Sequence, residues 1–144
     1  SIFKHETNLI VAEVVYEFPE LETDPQEALA KIEEEYAARC SKHPMDYPNA
    51  GSTFKNVIYT DELEKFKEWE NYGKIAAYRF IEEAGMKGKR IGGAQVSEKS
   101  ANFIINVDGA TADDVIQLIS LVKMNVRDKL GVQLQDEIQY VGFD

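Results

Sequence analysis

Residues 101–131, ANFIINVDGATADDVIQLISLVKMNVRDKLG, carry a strand, a turn, a capped helix and a stop in one uninterrupted run. Phe103 and Ile105 alternate with Asn102 and Asn106, the two-residue period of a strand with unlike faces. Asp108-Gly109 then turns the chain, and Thr111-Ala112-Asp113-Asp114 offers a hydroxyl cap with an acid three residues on. Val115, Leu118, Ile119, Val122 and Val126 follow at helical spacing as one apolar stripe, and Gly131 ends the helix. A strand that feeds an amphipathic helix needs a sheet for that helix to cover, so the run points to an α+β fold.

Residues 132–141 read as a last strand, with Leu134, Ile138 and Tyr140 turned inward and Glu137 on the face opposite Ile138. On the other side, Lys87-Gly88-Lys89-Arg90-Ile91-Gly92-Gly93-Ala94-Gln95-Val96 joins a basic patch to a glycine pair. Two readings stay open for it. The amines and glycines suit a phosphate, although the Walker and dinucleotide spacings are absent, or the stretch is a glycine-rich bend between strands. Ile75, Ala76, Tyr78, Phe80, Ile81 and Ala84 predict a helix between Gly73 and Gly85. The acidic residues 61–71 predict a short amphipathic helix whose Leu63, Phe66 and Trp69 serve packing.

Further towards the N-terminus, Pro48-Asn49-Ala50-Gly51-Ser52-Thr53-Phe54-Lys55-Asn56 places turn formers before a hydroxyl pair, an amine and an amide. Gly51 tolerates backbone angles closed to other residues, so Ser52 is expected at a sharp bend outside regular structure, where it can meet a ligand. Asp24-Pro25-Gln26-Glu27 starts a helix with Leu29, Ile32, Tyr36 and Cys40 facing the core, closed by Lys42-His43-Pro44. His5 and His43 are expected to face solvent. Residues 9–18 alternate, with Ile10, Ala12, Val14, Tyr16 and Phe18 opposite Glu13 and Glu17, and predict a half-buried strand.

The 144 residues, 44% hydrophobic and 29% charged, suit one ordered domain: a small, mostly antiparallel sheet packed by helices, with no internal repeat. A net charge of −10 disfavours nucleic acid as a partner, so any phosphate must be held locally. One cysteine and two separated histidines provide neither a disulfide nor a zinc set, so no metal is expected. The longest apolar run is too short to cross a membrane, and a cytoplasmic protein is expected. Since the chain opens on Ser1, close to a strand, it is expected to be a piece of a longer protein.

Four ordered pieces resemble the C-terminal half of the UDP-N-acetylenolpyruvoylglucosamine reductase family: Ser1-Ile2-Phe3-Lys4; Lys42-His43-Pro44 with PNAGSTFKN; Gly85-Met86-Lys87-Gly88 with IGGAQVSEK; and Asp136-Glu137-Ile138 with Val141-Gly142. The resemblance implies a flavoenzyme that reduces the enolpyruvyl group of UDP-N-acetylglucosamine enolpyruvate to UDP-N-acetylmuramate for peptidoglycan. NADPH is the implied reductant, and FAD is bound mainly by an upstream domain that this chain lacks. It also implies catalytic roles for Ser52, as proton donor to C2 after hydride reaches C3, and for Glu137, which polarises the substrate carboxylate or stabilises the enol. Lys42 and Asn56 are implied substrate-binding residues, with Lys55, Gln95 and Ser97 added from the same motifs. Alone, the chain is expected to be inactive. Val57 replaces a usual proline, Gln139 a usual arginine, and an acidic insertion occupies residues 58–72. The alternative reading is a stand-alone, non-catalytic module that binds a nucleotide sugar or a protein, with Trp69 and the insertion as its surface.

Overall fold

The computed structural model describes residues 9–18 and 24–142, so the Ser1-Ile2-Phe3-Lys4 piece and His5 lie outside it. The chain divides into two compact units, Ser1–Glu33 and Glu34–Asp144. In the first, residues 9–18 form no strand and are exposed throughout, with Ile10 at 90% and Phe18 at 80%. The expected half-buried strand is therefore absent. Alternation records which face of a segment is apolar, but a strand also needs a neighbour to complete its hydrogen bonds.

Helix α1 (Pro25–Lys42) starts and stops where the sequence indicates. The Asp24 carboxylate accepts from the Gln26 N–H at 2.7 Å, and Pro25 occupies a position whose N–H would have had no partner in the helix. Its stripe departs from expectation: α1 buries no residue, Leu29, Ile32 and Tyr36 are exposed, and Cys40 is half-buried.

The second unit has two antiparallel sheets. In the larger, the order is β1 (Asn49–Ser52), β7 (Phe103–Asn106), β6 (Ala94–Val96) and β5 (Arg90–Ile91). The central β7 pairs Ile105 with Gln95 and with Asn49, and both Ile104 and Ile105 are buried. Helix α3 (Ala112–Leu130) covers β5 and β6 through Leu118, Ile119, Val122 and Val126, all of them buried. Thr111 and Asp114 form a reciprocal capping box at its start, and Gly131 ends it at φ 74°, a left-handed conformation that disfavours a β-carbon.

The smaller sheet has the order β2 (Val57–Ile58), β4 (Lys74–Ile75) and β3 (Glu70–Asn71), so strands at the two ends of the acidic insertion pair with β4 just beyond it. Between β2 and β3, residues Asp61–Trp69 form a kinked 3-10 segment rather than the expected amphipathic α-helix. Its apolar residues fall every third position, which matches three residues per turn and not 3.6. Phe66 is buried, 4.9 Å from the Trp69 ring and 5.2 Å from the Phe80 ring. Trp69 is thus packing, as expected, and not an open platform. Helix α2 (Ala77–Glu83) adds Phe80 and Ile81 to the core, whereas Ile75 belongs to β4 and Ala76 caps the helix.

The α+β class, with antiparallel sheets under helices, is thereby shown. The last expected strand is not. Residues 132–141 make one bridge, Asp136 to Phe54, although Val132 and Leu134 are buried at 3% each. A segment can bury alternate side chains while pairing too briefly to form a strand.

Candidate functional site

Asn49 shapes the approach to Ser52. Its amide donates to the carbonyls of Pro44 and Tyr47 at 3.0 and 2.9 Å, and its side-chain oxygen accepts from the Gly51 N–H at 2.9 Å. Gly51 stands at φ 83°, and a β-carbon built there would meet nothing within 4 Å, so backbone conformation rather than space calls for glycine. Between the Asn49–Ile105 and Ser52–Phe103 pairs the register shifts, three steps on β1 against two on β7. Ser52 therefore ends a bulged strand, not a free bend as expected, and its side chain stays exposed.

The backbone after Ser52 is held on both sides. Thr53 N–H donates to the Asn102 carbonyl at 2.8 Å, and the Asn102 side chain accepts from Phe54 N–H and donates to Phe54 C=O, each at 2.9 Å. From the other direction, Glu137 N–H donates to Thr53 C=O and Lys55 N–H donates to Gln135 C=O, both at 2.8 Å. The register thus sets Glu137 opposite Thr53, one residue from Ser52.

Alternation distributes the side chains of the C-terminal segment. Val132 and Leu134 enter the core, while Gln133, Gln135 and Glu137 line a groove of about 530 Å³. Lys55 and Asn56 form the facing edge, and Val57, Ile58 and Lys74 of the small sheet close its end. Asn56 is partly engaged, its side-chain oxygen accepting from Ala77 N–H at 3.4 Å at the start of α2. Glu137 is half-buried. Its neighbour Asp136 is fixed to α3 by Lys123 at 3.1 and 3.2 Å and accepts from the Tyr140 hydroxyl at 3.2 Å, while burial and the Asp136 charge push Tyr140 up.

Ser52 itself lines a second groove, of about 550 Å³, with Arg39, His43, Tyr47 and Phe103. Lys42 lines a third, of about 420 Å³, which shares Arg39 and His43 with the second. His43 is half-buried rather than solvent-facing: its ring lies 5.1 Å from Phe103, and its buried Nδ1 has no hydrogen-bond partner among the described residues. The structure therefore gathers Lys55, Asn56 and Glu137 in one groove, with Ser52 and Lys42 in adjoining ones.

Gln95 and Ser97 lie outside all three linings. Gln95 sits in β6 between Arg90 and Ile105, and Ser97 is 1% exposed, its hydroxyl accepting from the N–H groups of Lys99 and Ser100 at 3.1 and 3.3 Å. The basic patch resolves as a hairpin. Arg90 binds the Gly92 carbonyl and Asp108, and Lys87 pairs with Glu82 at 3.0 Å. A β-carbon on Gly92 would strike the Asp114 carboxylate, and one on Gly93 the backbone of residues 108 and 110, so the glycine pair serves close packing. Among the described residues, no group of three or more His, Cys, Asp or Glu is placed to hold a metal, and no helix is long and apolar enough to cross a membrane.

The motifs did not mark Gln133, Gln135, Lys74 or His43 as site residues. The first two were readable from their alternation with Val132 and Leu134. Lys74 enters through the pairing of β4 with β2, for which no local signal exists.

Comparison with known proteins places these features in one family. Residues 43–141 match the profile of the UDP-N-acetylenolpyruvoylglucosamine reductase, C-terminal domain. Among relatives that bear the name UDP-N-acetylenolpyruvoylglucosamine reductase, one from Heliobacterium modesticaldum is 44% identical over 124 residues, covering 85% of this chain and 35% of its own length. One from Thermotoga maritima is 40% identical over 140 residues, covering 96% and 43%. The chain thus spans less than half of these relatives. The crystal structure of the Thermus caldophilus reductase of that name superposes with a TM-score of 0.52 at 31% identity, over 79% of this chain and 34% of that one.

Proposed function

The chain belongs to the UDP-N-acetylenolpyruvoylglucosamine reductase family, whose C-terminal domain it matches, and from that membership we propose that it is the substrate-binding and proton-donating part of such an oxidoreductase. The substrate is UDP-N-acetylglucosamine enolpyruvate and the product UDP-N-acetylmuramate, made in the cytoplasm for peptidoglycan. The observation that supports this reading is the register that sets Glu137 opposite Thr53, the residue after Ser52, in the groove that Lys55 and Asn56 also line.

FAD and NADPH are assigned to an upstream domain. The glycine pair next to the basic patch offers a flavin no cradle, because Asp114 and the turn at 108–110 fill its space. What falls to this chain is the proton. An enol or carbanion at C2 is basic enough to take it from the Ser52 hydroxyl when both are held within hydrogen-bond reach, and rigid placement is the protein's contribution. The Asn49 turn and the Asn102 clamp supply that rigidity. Glu137 polarises the substrate carboxylate or stabilises the enol. Lys42, Lys55 and Asn56 bind the anionic and polar parts of the nucleotide sugar.

The test is Ser52→Ala in the two-domain protein. Turnover is expected to fall at least about a hundredfold, the lower range for a lost proton donor, with the fold intact by circular dichroism. Unchanged turnover would remove Ser52 from the reaction.

A further inference from the structure

Asp136 is a carboxylate in an apolar row. Along the C-terminal segment Val132, Leu134 and Ile138 turn towards the core, whereas Gln133, Gln135 and Glu137 line the groove. Asp136 falls in the first set, its side chain 22% exposed, and Lys123 of α3 meets it there, Nζ donating to Oδ1 and Oδ2 at 3.1 and 3.2 Å. The Tyr140 hydroxyl donates to Oδ2 at 3.2 Å, so a side chain from α3 and one from the segment's own end converge on the same carboxylate. A partly exposed ion pair adds little to stability. Where this one sits gives it a different consequence.

The backbone holds the segment by few bonds. It forms no strand: one bridge joins Asp136 to Phe54, made by the Glu137 N–H on Thr53 and the Lys55 N–H on the Gln135 carbonyl. Register is weakly specified where pairing is this short, and a slip of one residue would carry Glu137 from the groove into the inward row. The same slip would part Asp136 from Lys123. Helix α3 is a fixed reference for that contact, capped at both ends and packed on the sheet by four buried side chains. We propose that Lys123, acting through Asp136, is a positioning residue that pins the register of the C-terminal segment and so holds Glu137 in the groove. This rests on the reading of Glu137 as the group that meets the substrate carboxylate or enol. A displacement of about 1 Å is enough to slow a reaction severely, so the pair bears on turnover more than on folding or affinity.

The experiment is steady-state kinetics of the two-domain protein with UDP-N-acetylglucosamine enolpyruvate and NADPH, with a thermal melt of each variant. The variants are Lys123→Ala, Lys123→Arg, Glu137→Gln and the double variant Lys123→Ala with Glu137→Gln. Lys123→Ala is expected to lower kcat about tenfold, with KM within about twofold of the parent, and Lys123→Arg to restore most of the turnover. Glu137→Gln is expected to lower kcat at least about a hundredfold. Adding Lys123→Ala to it should cost nothing further, because both changes act on one group. Parental kcat in Lys123→Ala, or an undiminished loss from it in the Glu137→Gln background, would overturn the positioning role and leave that of Glu137 standing. Parental kcat in Glu137→Gln would overturn the reading of Glu137 and the proposal with it. Asp136→Asn, which keeps the shape and removes the charge, is read by the same comparison, so a fold lost in Lys123→Ala does not remove the test.

Discussion

Asn102 acts as a one-residue strand partner: its side-chain amide satisfies both backbone groups of Phe54, in a place where Phe54 is 2% and Asn102 8% exposed. Asn102→Ala leaves a buried N–H and a buried C=O unpaired, and each unpaired group costs about 1–3 kcal/mol. A loss of at least about 2 kcal/mol is expected in urea denaturation. Retained stability would mean that water replaces the amide. Sequence reading places Asn102 on the polar face of a strand, whereas it lies in the turn before β7 and is buried against its partner. The turn at Gly51 was legible because a glycine before a hydroxyl is a local signal, while the adjacent hold on Phe54 comes from 48 residues away. Glu137 was named by its motif, but its place opposite Thr53 follows from hydrogen bonds that the sequence does not display.

Helix α3 was read almost completely, because its cap, its stripe and its stop are all local. Its cap also carries a pH dependence. The backbone N–H of Thr111, then its hydroxyl, hold the Asp114 carboxyl below the usual aspartate range, with a smaller contribution from Gly93 N–H. A lowered native value means that this contribution is complete above the ordinary aspartate pKa, about 3.9, and is lost as pH falls through the native one. Asp114→Asn is therefore expected to flatten the acid limb of the stability curve below about pH 4, measured by thermal melts across pH. An unchanged limb would assign acid sensitivity elsewhere. The inserted segment was legible in composition but not in conformation, since its three-residue spacing, taken for an α-helical stripe, is that of a 3-10 turn. Its aromatic stack does give a specific expectation. Phe66→Ala should cost about 3–5 kcal/mol as a buried aromatic truncation. Trp69, the sole tryptophan, stacks on Phe66 and meets Phe80 edge-on, so its fluorescence should report the same unfolding transition as far-ultraviolet circular dichroism. A separate, earlier fluorescence transition would show that the small sheet unfolds independently of the core. Conversely, α1 and residues 9–18 display apolar periodicity and remain exposed. Periodicity specifies a face; only a packed neighbour buries it.

At the scale of the molecule, composition bounded the answer to an acidic α+β protein, and the ordered motifs supplied the family. The grooves are a property of neither alone. The largest lining of polar groups arises where residues 55 and 56, the C-terminal segment and the small sheet meet, and that meeting sets Lys55, Asn56 and Glu137 together. The proposed division of labour, in which this chain holds the nucleotide sugar and another domain holds the flavin, is tested most directly by calorimetric titration with UDP-N-acetylglucosamine enolpyruvate. A folded chain should bind it, and Lys42→Ala and Asn56→Ala should each weaken binding about tenfold, the effect of one lost charged or polar anchor. A folded chain that does not bind, or binding indifferent to both substitutions, would contradict the assignment of the substrate site to this part of the enzyme.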